Sequence, residues 1–345
     1  MKRTALLILM LTATLPALAG EPPARVWKNG KWVPAAKPKL GTAEGEIALI
    51  RAHLARDNPK KALKIANAFG KRYPQSPLRE EAMMLAGQAQ MNRGHYWDAY
   101  ERFEDQLAAY PGGEYFDRIL QREYEIADAF LKGRKRRFWG IFRISAKDEA
   151  LDMLTRIAEH DPNSDIAQRA IMRVADYHYA REQWKDAIVT YDDYINLFGK
   201  KNPKQARYAS LQAAWASYKD FRGVRYDETP LLEAEQRFRT FLKLYPDTAR
   251  LEGIPGVLDE IRTIKAHKEY RKAEFYIRTH RKNAAAYYLR RTIKKYDDTK
   301  YAGKARKKLA KMGLPLQPPT EKTTATGPAP LESLAPETNQ DKDDQ

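Results

Sequence analysis

The chain has 345 residues, 43% of them hydrophobic, which is enough apolar side chain for a core and excludes a wholly disordered protein. Cysteine is absent, which excludes disulfide frameworks, thiolate metal sites and a cysteine nucleophile. The formal charge is +17, a balance that points to an anionic partner of some kind.

The first residues narrow that choice. Lys2 and Arg3 precede an apolar run from Ala5 to Leu15, then Pro16 and the small-x-small sequence Ala17-Leu18-Ala19. That order predicts a cleaved signal peptide over residues 1–19. The apolar run falls short of the roughly 20 residues a membrane span needs. An exported chain is not expected to meet DNA or RNA, so no nucleic-acid partner is expected. Residues 20–43 hold four prolines between Glu21 and Leu40 and read as weakly ordered. Within them Val26 to Val33, with Asn29-Gly30 at its centre, reads as a small hairpin, because Asn-Gly supplies the positive φ of a type I′ turn.

From residue 44 to 312 one recurrence dominates. Alanine followed twelve residues later by proline occurs at Ala62/Pro74, Ala99/Pro111, Ala150/Pro162 and Ala234/Pro246, and with the proline relaxed at Ala187/Gly199 and Ala285/Asp297. Bulky residues stand four and seven positions after the alanine, such as Phe69, Phe103, Leu154, Tyr191, Phe238 and Leu289. A small residue for close helix approach, then bulky residues at helical spacing, then a helix breaker describes the second helix of a tetratricopeptide hairpin. First helices are expected upstream, with Gly87 at the small position of one and the ridge Ile171, Val174, Ala175 and His178 on another. On that ridge His178 reads as a packed core residue.

The ends of successive repeats are 37, 51, 37, 47 and 51 residues apart, against about 34 for a minimal repeat. The excess places insertions near Arg134–Ser145 and Gly223–Pro230 and a long helix around Gly256–His280. The predicted fold is all-α, a right-handed tetratricopeptide-type solenoid of about six hairpins. A last helix from Lys300 to Met312 caps it. No strand-like alternation is expected between the hairpins. Residues 313–345, with six acids against two lysines from Pro315 onward, read as a disordered tail.

Chemistry is conspicuous by what is missing. The six histidines, at 53, 95, 160, 178, 267 and 280, share no helix face at metal-ligand spacing. No Gly-rich phosphate loop or Gly-x-Ser-x-Gly is present, so neither catalysis nor a cofactor, metal or small-molecule substrate is expected. Two features remain. Arg134 to Arg137 run into Phe138, Trp139 and Phe142; cations beside large aromatics suit an anionic membrane surface, with Arg136, Arg137, Phe138, Trp139 and Phe142 as the contact. The competing reading folds this loop back onto the solenoid. The second is the stretch from Arg262 to Lys311, with eighteen Lys/Arg against four acids. On its helix after Arg281, the inward ridge is Ala285, Leu289, Thr292 and Tyr296. Tyr287, Arg291 and Lys294 fall on the opposite face, flanked by Arg290 and Lys295. An aromatic among cations predicts a protein-binding face, with neither Arg291 nor Lys294 turned to the core.

The last hairpin reads Ala273-Glu274-Phe275-Tyr276, then Asn283-Ala284-Ala285-Ala286, then Tyr296-Asp297-Asp298-Thr299. It resembles the C-terminal repeat of the BamD (YfiO) family, the tetratricopeptide component of the outer-membrane β-barrel assembly machine. The insertion Arg222 to Asp227 and the run Tyr73-Pro74-Gln75-Ser76-Pro77 are also similar to that family. The resemblance spans roughly residues 45 to 312. It implies a non-catalytic scaffold in barrel assembly and insertion, at the periplasmic face of the outer membrane. The C-terminal repeats would bind a BamA/Omp85-type partner, with unfolded barrel substrates as further ligands. Two departures stand out. Glu21, not the family's lipidated cysteine, follows Ala19-Gly20, and there is an additional repeat at Ala150. A periplasmic tetratricopeptide adaptor for cell-wall or division complexes is the competing reading.

Overall fold

The computed structural model describes residues 39, 41–138 and 142–317 together with the strand backbones of 25–28 and 31–34. The predicted signal peptide, Trp139 and nearly all of the predicted tail lie outside these residues, as does the side chain of Phe138. The chain divides into two compact units, Met1–Val174 and Ala175–Gln345.

The hairpins alternate a first helix with a second. They are α1 (Ala43–Ala55) with α2 (Pro59–Arg72), α3 (Arg79–Asn92) with α4 (Tyr96–Ala109), and α5 (Phe116–Leu131) with α6 (Lys147–His160). Next comes α7 (Asp165–Ala180), inside which the division between units falls, then α8 (Trp184–Phe198) and α9 (Pro203–Asp220) with α10 (Thr229–Leu244). A short α11 (Pro246–Leu251) precedes the long α12 (Ile254–Arg278), which pairs with α13 (Lys282–Lys295), and α14 (Lys300–Lys311) covers α13. The fold is an all-α stack of tetratricopeptide-type hairpins.

The six register alanines explain the stack. Ala62, Ala99, Ala150, Ala187, Ala234 and Ala285 are all 0% exposed, one on each second helix. Four residues on, Phe103, Leu154, Tyr191, Phe238 and Leu289 are equally hidden, and Ala66 takes that place in α2. A methyl group at the crossing lets two backbones approach, and the larger side chains one turn later fill the wedge beside it. Gly87 does the same on a first helix. A Cβ there would overlap the Phe103 ring.

Five of the six second helices also end alike. Tyr73, Tyr110, Asp161, Tyr245 and Tyr296 adopt φ between −129° and −143° at the C-terminal caps. Four of these precede a proline, which pushes the preceding residue toward extended backbone. Tyr73 and Tyr245 fold back onto Phe69 and Phe241 with ring centroids 5.1 Å apart. At Tyr296 no proline follows. Arg262 of α12 instead holds Asp297 and Asp298 at 3.3 Å and 2.8 Å, with its guanidinium over the Tyr296 ring.

In four of the six hairpins the turn carries one left-handed residue two positions before the second helix: Asp57, Gly94, Glu182 and His280, at φ 51°, 77°, 59° and 57°. The following amide donates to a carbonyl five residues back, as from Asn58 to His53 and from Arg281 to Tyr276. This is the Schellman closure of a helix C-terminus.

Two expectations are corrected here. The insertion after α5 forms an antiparallel hairpin, β3 (Lys135–Phe138) with β4 (Phe142–Ser145), in register Arg136↔Ile144 and Arg137↔Arg143. Phe142, Arg143, Ile144 and Ser145 alternate apolar and polar, which is the strand period, so sheet does interrupt the helices. Near the N-terminus, β1 (Arg25–Lys28) and β2 (Lys31–Pro34) pair with Trp27 opposite Trp32. The second correction concerns His178. It is only half-buried, and its Nδ1 lies 3.1 Å from Gln183 Oε1, a side chain of the loop beyond α7.

Candidate functional site

The second unit closes on the hairpin α12–α13. Leu289, Ala286 and Ala273 pack with Ala305 and Leu309 of α14, so α13 has two covered flanks rather than one. That explains where the predicted face went. Tyr287 is 57% exposed, and Lys294 and Lys295 are exposed as well. Arg290 and Arg291 are not free. Arg290 donates through Nε and Nη2 to the Pro315 carbonyl at 3.1 Å and 2.9 Å, fastening the chain after α14. Arg291 reaches Glu269 of α12 at 3.4 Å, and the Glu269 carboxylate, only 7% exposed, is the main reason its guanidinium pKa is raised. Their long side chains cross a flank that helical spacing alone assigns to solvent, and both are structural contacts.

What the sequence reading missed is an aromatic chain across the two helices. Phe275 contacts Tyr276 at 5.3 Å, Tyr276 stacks on Tyr288 at 5.3 Å and 7°, and Tyr288 meets Tyr287 edge-on at 5.2 Å. Its two ends, Phe275 at 50% and Tyr287 at 57%, are open to solvent. The Phe275-Tyr276 pair was visible as sequence, but only the pairing of α12 with α13 joins it to Tyr287. Lys272, bonded to Glu269, lies 5.9 Å over the Tyr288 ring and holds it by cation–π attraction. Two exposed rings on a rigid aromatic base, beside Lys294 and Lys295, can anchor an apolar side chain and attract an acidic surround.

The predicted membrane contact divides in the same manner. Arg136 folds inward, 2.9 Å from Glu149 and 4.5 Å over the Trp97 ring, so it belongs to the solenoid and not to a membrane face. Arg137 and Phe142 are exposed. Among the described residues no cluster of three or more metal-ligating side chains occurs, and His267 lies flat on Tyr301 at 4.4 Å, its pKa lowered by burial. No helix among them is long and apolar enough to cross a membrane.

These features define a class: a tetratricopeptide-type protein whose last hairpin exposes aromatic anchors in a strongly basic surround. Residues 143–326 match the family described as YfiO, outer membrane lipoprotein, and the chain belongs to that family. It is 24% identical over 158 residues to an outer membrane protein assembly factor BamD of Caulobacter vibrioides, a match covering 46% of this chain and 51% of that protein. The chain thus spans about half the length of the curated relative it matches. Similar solved structures include a tetratricopeptide repeat protein from Parabacteroides merdae, 13% identical, covering 78% of this chain and 98% of that one at TM-score 0.35. Another is MamA from Desulfovibrio magneticus RS-1, 17% identical, covering 61% and 97% at TM-score 0.33.

Proposed function

We propose that this protein is a non-catalytic scaffold in outer-membrane β-barrel assembly, and that its last hairpin binds the periplasmic domains of an Omp85-type partner. Membership in the YfiO family and likeness to an assembly factor support the process. The observation that supports the surface is the exposed pair Phe275 and Tyr287 at the ends of one aromatic chain. Lys294 and Lys295 bring an acidic partner surface into register, and the rings set how long it stays. The site works at the inner face of the outer membrane.

Surface plasmon resonance against the partner's immobilised periplasmic fragment tests the assignment. Phe275→Ala with Tyr287→Ala is expected to raise the off-rate at least tenfold, as loss of two aromatic anchors does. Lys294→Glu with Lys295→Glu is expected to slow association and weaken its salt dependence. Wild-type kinetics in both variants, with unchanged helicity, would remove the partner from this hairpin.

A further inference from the structure

The first unit holds a second basic feature, built differently and not explained by a protein partner at α13. A cleft of about 1030 Å³ opens between the start of α4, the end of α5 and the β3–β4 hairpin. Arg93, Arg134, Lys135, Arg137 and Arg143 line it, and Asp98, the one carboxylate among its lining residues, already faces His95 and Gln90 at 3.3 Å. Arg137 stands directly opposite Arg143 in the strand register. Like charges in that position repel, and among the described residues neither has a carboxylate partner.

One of these cations is also held in place. The Arg134 guanidinium lies 4.0 Å over the Tyr96 ring, and beside it Arg136, paired with Glu149, lies 4.5 Å over Trp97. The same two aromatics begin α4, whose N-cap residue His95 gives no side-chain acceptor to the first amides. The positive end of the helix therefore adds to the field in the cleft. Clustered guanidinium groups that are short of acceptors, one of them fixed on a ring, match a phosphate, which takes two donors from one arginine. The volume suits a headgroup better than a bare ion. Beside the cations Phe142 is 59% exposed at the start of β4, an apolar side chain where a lipid surface would present its phosphates.

We infer that the cleft under the β3–β4 hairpin binds the phosphate of an anionic phospholipid headgroup, with Arg134, Arg137 and Arg143 as its donors and Phe142 entering the interface.

Flotation of the full chain with vesicles tests this, using phosphatidylglycerol mixed into phosphatidylcholine against phosphatidylcholine alone, at physiological ionic strength. Wild type is expected to float with the anionic vesicles only. Arg134→Gln with Arg137→Gln and Arg143→Gln is expected to lose about a hundredfold in binding. A control that removes the same charge from α14, Lys304→Gln with Lys307→Gln and Lys311→Gln, is expected to stay within about threefold of wild type. Melting by circular dichroism identifies any variant that fails to fold, and the single change Arg143→Gln, on an exposed strand, gives a smaller loss of about fivefold. Soluble glycerol phosphate is expected to displace the protein from the vesicles. Equal losses in the two triple variants would reduce the effect to the charge of the whole chain and overturn the site. Binding of glycerol phosphate, or of an acidic peptide, without vesicle capture would overturn the lipid assignment.

Discussion

Glu269 on α12 and Glu123 on α5 occupy comparable places, each on the first helix of a hairpin and each hidden, at 7% and 0% exposure. Their company differs. Glu269 receives Lys272 from its own helix and Arg291 from α13, at 3.1 Å and 3.4 Å. Among the described residues Glu123 has no hydrogen-bond partner at either oxygen. Burial raises its pKa well above the ordinary carboxylate value, Glu104 nearby raises it further, and Arg156 opposes them. The second unit therefore spends two of its many cations inside the fold, whereas the first buries an unpaired acid in its core and leaves cations standing on a hairpin. A charge count along the chain does not report how many charges are available to a partner. That depends on which neighbouring helix each side chain can reach.

The comparison presupposes equally tight packing around both acids, and the largest effect tests that. Ala99→Leu in the first unit and Ala234→Leu in the second each force extra carbons into a crossing that is 0% exposed. Each is expected to lower stability by about 3 kcal/mol in denaturant unfolding, the upper part of the range for overpacked cores. A neutral result at one site alone would mean the units are not packed alike.

Arg291→Glu comes next. It sets a second carboxylate against Glu269 and removes that acid's interhelix partner, for an expected loss of about 2 kcal/mol. Lys294→Glu, one turn along the same helix but exposed, is expected to leave the melting temperature within about a degree. Equal effects from the two would make the Arg291–Glu269 contact energetically idle.

The ladder of six alanines was legible in the sequence because a small residue and its bulky followers repeat at fixed spacing, and nothing but helix packing asks for that. The site was legible only in part. Tyr287, Lys294 and Lys295 could be placed from one helix's periodicity, but Arg290 and Arg291 could not. Their fate depends on Pro315 and Glu269, which lie 25 and 22 residues away and are brought near only by packing. The turn residues were hidden for another reason. Asp57, Glu182 and His280 take the left-handed conformation without the glycine that signals it at Gly94. The β3–β4 hairpin was hidden because four-residue strands are too short to stand out against flanking helices.

Glu123→Gln is expected to change stability by less than Arg291→Glu and in the opposite sense. The folded-state pKa of Glu123 lies above its unfolded value, so its favourable contribution is complete below the unfolded pKa and is lost as pH rises through the folded one. At neutral pH folding must either keep a proton on Glu123 or bury its charge. Glutamine carries neither cost, so the variant is expected to be more stable by about 1 kcal/mol at neutral pH. Below the ordinary carboxylate range the gain should vanish. Parallel urea titrations at acid and neutral pH measure it, and a gain independent of pH would mean that Glu123 is not titrating.

The smallest effect belongs to the hairpin cations. Arg137→Glu replaces a like-charge pair across β3 and β4 with an attractive one, because Arg143 lies directly opposite. Cross-strand pairs of opposite charge are worth a few tenths of a kcal/mol to about 1 kcal/mol, and the exposed setting places this one at the low end. The variant is therefore expected to be as stable as wild type or slightly more so, about 0.3 kcal/mol, with the difference shrinking in high salt. Arg136→Glu, one residue away, should behave in the opposite manner, since it would face Glu149 and leave the Trp97 ring. A loss for Arg137→Glu as large as that for Arg136→Glu would show that both arginines are structural. The division drawn between cations that hold the fold and cations that stand free would then fail at the hairpin.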